Sequence, residues 1–272
     1  MRCLLMACLT ACLLKPVAAW TSDQGAVESP AERQPGMVAL DIGRDAARVP
    51  LFVWPSPGAK ATLVLLPGGD AGTGKIVDGQ PGSRNFLSRS RALFQAQGFH
   101  VIVAYRASDL PDLAYEHRTT PAHIDEIAKV VDWAHRQFGQ PVWLVGTSRG
   151  SVSATAAAIA LGPSRVQGLV LTSSVTSGKP GAVPTQDLAR IQVPTLVVHH
   201  RLDACHVCRP REAALIPDAL IAAPRKQFIL VEGGFEPQGD ACEALHWHGF
   251  VHFEKETVGV IAGWIRESLA VK

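Results

Sequence analysis

The chain has 272 residues, of which 47% are hydrophobic and 18% are charged, a balance typical of one globular domain with a sizeable core. Its 26 Lys and Arg residues nearly balance 24 Asp and Glu residues, and no long run of like charge occurs, which argues against a nucleic-acid-binding protein. The densest basic patch, Arg84, Arg89 and Arg91, is interpreted as the solvated face of a helix.

Residues 1–19 are typical of a secretory signal peptide. Arg2 precedes an apolar stretch from Cys3 to Leu14, and small residues precede the expected cleavage near Ala19. Because this stretch is too short for a permanent transmembrane helix, no stable membrane span is expected. The sequence therefore predicts an exported protein, either periplasmic or secreted.

A minor alternative for the N-terminus is lipoprotein processing at Cys12, because the residues "LTAC" resemble a lipoprotein cleavage box. Residues 20–37 are polar and contain Pro and Gly, so they are expected to form a flexible lead-in. The folded domain is then expected over residues 38–272.

Short apolar runs rich in Val, Ile and Leu alternate with segments of helical period. This alternation predicts an α/β fold with a mostly parallel central sheet and helices on both faces. The seven predicted strands are 50–54, 61–67, 100–105, 141–146, 166–173, 194–200 and 226–233.

Three longer helices are predicted between and after these strands. Thr120 and Pro121 form a helix start, an N-cap followed by Pro, ahead of an apolar stripe that ends at Phe138. An alanine-rich helix is expected over 149–161, and its small side chains would allow it to lie close to the sheet. The last helix carries apolar residues at three- and four-residue steps over 258–269.

Ser148 lies in the sequence Gly146-Thr-Ser-Arg-Gly150, between a predicted strand and the alanine-rich helix. A strand, a sharp turn and a helix are the context in which a nucleophilic serine is exposed on a strained backbone. Glycines two residues away on either side allow the strand and the helix to approach each other. The pattern favours a nucleophile over a turn serine, provided that a base and an acid lie downstream.

Candidates for the acid and the base follow Ser148 in the order that such a site requires, first the acid and then the histidine. Asp203 comes just after the strand 194–200, at the sheet edge where open α/β sheets bind ligands. Asp109 is the alternative acid. Three histidines, His246, His248 and His252, lie just before or at the start of the last helix.

From about residue 50 to 270 the chain resembles the α/β-hydrolase family, and in particular its cap-less, dienelactone-hydrolase-like and esterase-like members. The residues "HGF" at 248–250 look like the catalytic-histidine motif of those members. The resemblance implies a triad of Ser148 as nucleophile, His248 as base and Asp203 as acid. His246 and His252 remain the fallback candidates for the base.

The oxyanion hole requires backbone N–H donors, and one is expected from Arg149, directly after the nucleophile. By resemblance to hydrolases with a Gly-Gly turn after this strand, the second is expected from Gly69 or Asp70. A phosphate-binding loop is the alternative for this region, but Ile76 stands where that motif needs a hydroxyl. No cofactor is expected.

The residues between the strands 166–173 and 194–200 are too few for the helical cap that many relatives insert there. The site is therefore expected to be open, with specificity set by the loops 70–83 and 174–187. The expected substrate is a small-molecule ester or an accessible ester group on a polymer, cleaved through a covalent acyl-enzyme. An acyltransferase, a peptidase or a thioesterase on the same fold stays open, and a non-catalytic binding module is the least favoured alternative.

Three cysteines remain after removal of the predicted leader: Cys205, Cys208 and Cys242. A disulfide is the first expectation in an exported protein. A bridge from Cys205 to Cys242 would tie the acid loop to the histidine loop and leave Cys208 as a free thiol. A zinc site at Cys205, His206 and Cys208 is disfavoured because no second ligand pair at metal-site spacing follows, so no metal is expected.

Overall fold

The structure is a computed structural model that describes residues 34–270. The predicted signal peptide, the alternative lipidation site Cys12 and most of the lead-in lie outside the described residues. The strands of the described residues are β1 (Gly36–Asp41), β2 (Arg48–Trp54), β3 (Thr62–Leu66), β4 (Ile76–Val77), β5 (Gln80–Pro81), β6 (His100–Ala104), β7 (Val142–Thr147), β8 (Gly168–Thr172), β9 (Thr195–His200) and β10 (Lys226–Val231). The α-helices in the same range are α1 (Phe86–Arg89), α2 (Arg91–Ala96), α3 (Pro121–Phe138), α4 (Arg149–Leu161), α5 (Pro210–Ala213), α6 (Ile216–Ala219) and α7 (Glu254–Ala270).

Eight strands form one sheet in the order β1-β2-β6-β3-β7-β8-β9-β10, and β4 and β5 form a separate hairpin. From β6 to β10 the neighbouring strands are parallel, whereas β2 is antiparallel to both β1 and β6. The prediction of a mostly parallel sheet is confirmed. The carboxyl ends of the parallel strands therefore meet at one edge, where a ligand site is expected.

The strand β1 was not predicted from the sequence. It begins at Gly36, two residues before the expected start of the domain, and pairs only with β2 at the end of the sheet. Its residues are partly exposed, unlike the fully buried strands β3 and β6. An edge strand of this kind lacks the continuous apolar run on which the other strand predictions depend.

Helices cover both faces of the sheet, as the sequence predicts. Successive residues of a strand point to opposite faces, so Val64 and Leu66 of β3 pack into the core that α3 and α4 complete. Leu63 and Leu65 pack into the core formed with α1, α2 and α7. The central strands are thereby held rigidly between two apolar layers, and their carboxyl ends form a fixed platform.

The two long helices after β6 and β7 begin where the sequence predicts. The side chain of Thr120 accepts a hydrogen bond from the backbone N–H of His123, and Pro121 takes the first turn of α3. The helix α4 runs from Arg149 to Leu161 and is capped by Gly162. Nearly all of α4 is buried, which its small side chains permit.

The basic patch near residue 90 is not the solvated helix face that was expected. The segment forms two short helices, and of its three arginines only Arg84 is exposed. The guanidinium of Arg91 lies 4.9 Å from the centre of the Phe52 ring, and Arg89 is partly buried and pairs with Glu254 at 2.8 Å. Long arginine side chains can cover apolar surface while their heads reach distant acceptors, which the linear pattern does not reveal.

The connection from β8 to β9 contains no cap domain. Over residues 173–194 the chain forms two short 3-10 helices, Val183–Thr185 and Leu188–Arg190, and no α-helix. None of the helices in residues 34–270 has both the length and the apolar character that crossing a membrane requires.

A glycine at the start of β8 is required by its aromatic neighbour. Gly168 pairs with Trp143 of β7, and a Cβ atom at residue 168 would lie 2.2 Å from the Trp143 ring. We expect Gly168→Ala to lower the free energy of unfolding by about 1–3 kcal/mol, because the buried indole has to move. Urea denaturation measures this change.

The matched control is Gly259→Ala in α7, where no atom beyond the adjacent residues and the nearby helix backbone lies within 4 Å of the added Cβ. Since alanine favours a helix by up to about 1 kcal/mol over glycine, this variant should be neutral or stabilised. Equal destabilisation of both variants would contradict the packing argument.

Candidate active site

Ser148 lies at the junction between β7 and α4 on a strained backbone. Its φ and ψ angles are 51° and −127°, a conformation that a non-glycine residue rarely adopts. Its backbone N–H donates to the carbonyl of Thr172 in β8, which anchors the turn to the neighbouring strand. The structure thus places Ser148 at the carboxyl edge of the sheet in the geometry expected of a nucleophile elbow.

Glycines allow the close approach on which this turn depends. A Cβ atom at Gly150 would lie 1.9 Å from the carbonyl oxygen of Leu66, and one at Gly146 would lie 2.4 Å from the carbonyl oxygen of Gly150. A Cβ at Gly68, in the loop after β3, would lie 2.7 Å from the Cβ of Ser148. The first two glycines were singled out from the motif, whereas the role of Gly68 follows only from the structure.

Asp203 and His248 form a buried pair beside this turn. Nδ1 of His248 lies 2.9 Å from Oδ2 of Asp203, and both side chains are at least nine-tenths buried. The other carboxylate oxygen accepts the backbone N–H of Cys205 at 3.0 Å. Asp203 is therefore fixed from both oxygens, and it fixes the orientation of the imidazole.

The alternative acid and bases lie elsewhere. Asp109 lies at the surface and pairs with Arg44 at 2.7 Å. The exposed ring of His252 stacks on Phe235, and His246 makes no hydrogen bond to Asp203 among the described contacts. The structure brings only His248 of the three histidines onto Asp203.

Long-range contacts hold the loop of His248. The Ser173 hydroxyl donates to the backbone carbonyl of His248 at 2.7 Å. Arg89 donates to the carbonyl of Gly249 and also binds Glu254 at the start of α7. The ring of His200 stacks on Trp247 with 5.0 Å between the ring centres. No linear motif signals the roles of Ser173 and Arg89, because both are far from His248 in sequence.

The candidate oxyanion donors lie around the same cleft. Gly69, Asp70 and Arg149 all line it together with Ser148 and His248. Among the hydrogen bonds of residues 34–270, the backbone N–H groups of Gly69, Asp70 and Arg149 have no acceptor. Such unpaired donors at the start of a helix and in an adjacent turn can bind a developing negative charge.

The expected disulfide between Cys205 and Cys242 is present. It joins the loop of Asp203 to the loop of His248, so both partners of the buried pair lie on covalently linked segments. Among residues 34–270, Cys208 is the free thiol, and it is fully buried. Burial raises its thiol pKa well above the ordinary value, and the Asp203 charge adds to the shift while Ser148 opposes it. The thiol therefore stays protonated and is a poor nucleophile at neutral pH.

The disulfide argues against zinc binding at the same cysteines. Cys205, His206 and Cys242 lie close enough together for one ion, as do Cys205, Cys208 and His248. However, the sulfur of Cys205 is bonded to that of Cys242 and cannot be a thiolate ligand. His248 already binds Asp203 through Nδ1.

The cleft over Ser148 has a volume of about 390 Å³ and opens to solvent. The two loops expected to set specificity contribute Ser83 and Lys179 to its lining. Tyr115 forms part of one wall, and the guanidinium of Arg149 lies 4.7 Å from its ring centre while the Lys179 ammonium lies 5.5 Å from it. Two cations thus flank one aromatic ring at the cleft.

A family model for the alpha/beta hydrolase fold matches residues 62–203, which is more than half of the chain. The chain belongs to the α/β-hydrolase fold family. The match includes Ser148 and Asp203, and His248 lies beyond its end. A search of curated proteins found no match.

Solved structures of α/β hydrolases share the fold at low sequence identity. Est1E from Butyrivibrio proteoclasticus is 13% identical over 86% of this chain and 99% of its own, with a TM-score of 0.60. An α/β serine hydrolase without a lid from Xanthomonas campestris is 15% identical over 87% and 94%, with a TM-score of 0.56. A dienelactone hydrolase from Anabaena variabilis is 16% identical over 87% and 99%, with a TM-score of 0.56. These three proteins resemble the chain in fold.

Loss of the disulfide should destabilise this α/β hydrolase. The bridge spans 37 residues, and closing a loop of that length contributes roughly 4 kcal/mol as an upper-end figure on the chain-entropy model. We expect the double variant Cys205→Ser/Cys242→Ser to lose roughly 2–4 kcal/mol of unfolding free energy in denaturant titration.

The matched variant Cys208→Ser keeps the bridge and removes only the free thiol, so it should lose less. Alkylation of the unfolded wild-type chain without reductant, followed by peptide mass mapping, should modify Cys208 and leave Cys205 and Cys242 unmodified. Labelling of all three cysteines would show that the bridge does not form in the protein.

Proposed function

We propose that the protein is a serine hydrolase of carboxylic esters that uses Ser148, His248 and Asp203. The observation that carries the proposal is the state of the His248 ring. Nδ1 is engaged by Asp203, while Nε2 is buried and has no hydrogen-bond partner among the described residues. His248 lines the cleft that also contains the strained Ser148, and its Nε2 has no competing protein partner among the described residues.

Acylation begins when the Ser148 hydroxyl attacks the ester carbonyl and passes its proton to Nε2 of His248. The imidazolium that forms carries its positive charge next to the buried carboxylate of Asp203, which stabilises it. His248 then donates the proton to the leaving alkoxide, so that the alcohol departs neutral and Ser148 carries the acyl group. Water, activated by the same nitrogen, attacks the acyl-enzyme and releases the acid.

The negative charge of each tetrahedral intermediate falls on the former carbonyl oxygen. The N–H of Arg149 is one proposed donor to it, and the N–H of Gly69 or Asp70 is the other. Each donor is fixed before the reaction, and removal of one such donor typically costs about 10²–10³ in kcat. The unpaired state of these three N–H groups and their position on the cleft support the assignment.

The cleft favours hydrolysis of short or accessible esters. It is not covered by a cap, and polar and charged side chains such as Asp70, Arg149, Lys179 and Glu243 lie along its lining. Water reaches the acyl-enzyme freely in such a cleft, which supports hydrolysis over transfer of the acyl group to another alcohol. The esterases and the dienelactone hydrolase among the structural neighbours are consistent with this class of reaction.

We also propose that the protein is exported. The residues that precede the described domain match a secretory signal peptide, as argued above, and disulfides persist mainly in oxidising compartments. The bridge between Cys205 and Cys242 supports this assignment.

Replacement of the nucleophile tests the proposed reaction directly. We expect Ser148→Ala to reduce p-nitrophenyl acetate turnover to background, a loss of roughly 10⁴-fold or more, because no acyl-enzyme can form. Circular dichroism confirms folding. The control is Ser164→Ala at the exposed end beyond α4, which should keep full activity. Unchanged turnover by Ser148→Ala would overturn the proposal.

The assignment of the acid has its own matched pair of variants. Asp203→Asn should lower kcat by about 10³–10⁴-fold, because an amide no longer selects the tautomer with a free Nε2 nor stabilises the imidazolium. Asp109→Asn, at the surface site of the alternative acid, should change kcat less than about twofold. A large loss in Asp109→Asn with little change in Asp203→Asn would reverse the assignment.

A further inference from the structure

Arg118 is a buried cation without a carboxylate partner. It follows a short 3-10 helix and precedes α3, and only 1% of its surface is exposed. Among the described residues its guanidinium donates to carbonyl oxygens and one hydroxyl, and forms no salt bridge. Because burial of a charge without an opposite charge is costly, the acceptors of this guanidinium must be fixed in place and numerous.

Two of those acceptors belong to the candidate oxyanion loop. Nη2 of Arg118 lies 2.8 Å from the carbonyl oxygen of Gly69, and Nη1 lies 3.5 Å from that of Pro67. A third bond goes to the carbonyl of Leu113 at 3.1 Å. Arg118 does not line the cleft over Ser148, so it holds the loop from the interior of the protein.

A chain of three further side chains holds Arg118. Nη1 of Arg118 donates to the Ser153 hydroxyl at 3.2 Å, so the hydroxyl hydrogen is free for Nε2 of His123 at 3.0 Å. Nδ1 of His123 then carries the ring proton and donates to Glu126 at 3.0 Å. Burial lowers the His123 pKa, which keeps the ring neutral as this chain requires. The Glu126 carboxylate is also paired with Arg44 at 2.7 Å.

Ser153, His123 and Glu126 have the connectivity of a second catalytic triad, but they cannot act as one on an ester. Ser153 is 1% exposed. The adjoining cavity has a volume of about 20 Å³, which is enough for about one water molecule and too small for a substrate. The Ser153 oxygen also accepts a hydrogen bond from Arg118. This bond withdraws electron density from the oxygen and makes it a weaker nucleophile. The role of these three hydrogen-bonded side chains is therefore to hold Arg118 in place.

We propose that Arg118 is a positioning residue for the oxyanion hole, held by the Ser153, His123 and Glu126 chain. The inference rests on the proposed function. A peptide group is planar and trans, so a fixed carbonyl also fixes the direction of the N–H in the same plane. The Gly69 carbonyl shares its peptide group with the N–H of Asp70, and the Pro67 carbonyl shares its peptide group with the N–H of Gly68. By holding both carbonyls, Arg118 fixes the direction of the Asp70 N–H directly and restricts rotation of the loop on both sides of Gly69.

The charge of Arg118 acts in the same direction as its hydrogen bonds. Burial lowers its pKa to about 9, so the guanidinium remains cationic at neutral pH. A buried positive charge behind the loop favours negative charge on the cleft side more strongly than a solvated one would, because the intervening medium is weakly polar. Arg118 should therefore contribute to binding of the oxyanion and little to binding of a neutral ester.

The test separates oxyanion binding from ground-state binding. We compare three variants, Arg118→Met, Arg118→Lys and Ser153→Ala. One measurement is kcat and KM for p-nitrophenyl acetate. The other is the inhibition constant of an aryl trifluoromethyl ketone, which forms a tetrahedral adduct with a serine nucleophile. For Arg118→Met we expect kcat to fall about 10–100-fold, below the loss for removing an oxyanion donor outright. KM should change less than about threefold, and affinity for the ketone should fall in parallel with kcat. Arg118→Lys should recover part of both losses, and Ser153→Ala should show a smaller loss in the same direction.

The control for a general loss of stability is Ile127→Ala, which removes buried atoms from the wall of the same small cavity. It should lower Tm without changing kcat per folded molecule or the affinity for the ketone. The proposal is overturned if Arg118→Met keeps its kcat and ketone affinity, or if Ile127→Ala lowers both as much as Arg118→Met does. If Arg118→Met does not fold, Arg118→Lys and Ser153→Ala decide the question by the same criteria.

Labelling of Ser148 by a fluorophosphonate keeps this proposal distinct from ester hydrolysis. The reaction also develops negative charge on an oxygen at the site, but it needs no ester substrate. If the wild type is labelled yet hydrolyses no ester, the proposed reaction fails, and slower labelling of Arg118→Met would still support the role of Arg118. Equal labelling rates for Arg118→Met and the wild type would overturn it. Absence of labelling in the wild type would overturn both.

Discussion

The close approach of α4 to the strands β3 and β7 is the constraint on which the site depends. It brings Ser148 to a turn with positive φ, and it is possible only because Gly146 and Gly150 have no side chain in the path of the neighbouring backbone. The same approach points the free N–H groups at the start of α4 into the cleft. A larger residue at either glycine would displace the helix, and with it both Ser148, the proposed nucleophile, and Arg149, a proposed oxyanion donor.

The remaining parts of the site are attached to this turn through the ends of other strands. Ser148 is hydrogen-bonded to the end of β8, and Ser173, just beyond that strand, binds the backbone of His248. Asp203 follows β9, and the disulfide joins its loop to the histidine loop. The candidate catalytic side chains, from distant parts of the sequence, thus share one edge of the sheet, as expected when parallel strands end together.

The sequence predicts those features that depend on local patterns. The seven strands that were predicted are present, as are the N-cap of α3 at Thr120 and the start of α4 at Arg149, because each depends on neighbouring residues. The edge strand β1 was missed because it lacks a continuous apolar run. Asp203 was named from its place in the order along the chain, and His248 was chosen from three histidines by the resemblance of residues 248–250 to a family motif. The structure brings the two side chains together.

Contacts between distant residues could not be predicted in the same way. Arg89 was interpreted as a solvated residue, yet it reaches the carbonyl of Gly249 and the carboxylate of Glu254. The sequence predicts no role for Arg118, because a single arginine before a helix is common. Its burial, and its reach from Gly69 to Ser153, depend on how α3, α4 and the loop after β3 pack together.

The bridge between Cys205 and Cys242 makes the finished protein different from the chain as it is synthesised. Before oxidation, the loops of Asp203 and His248 are joined only by the contacts between their own side chains and backbones. After oxidation a covalent bond limits their separation. A newly made copy that has not met an oxidant therefore has a less constrained pair of Asp203 and His248, so that full assembly of the candidate site depends on oxidation of the two cysteines.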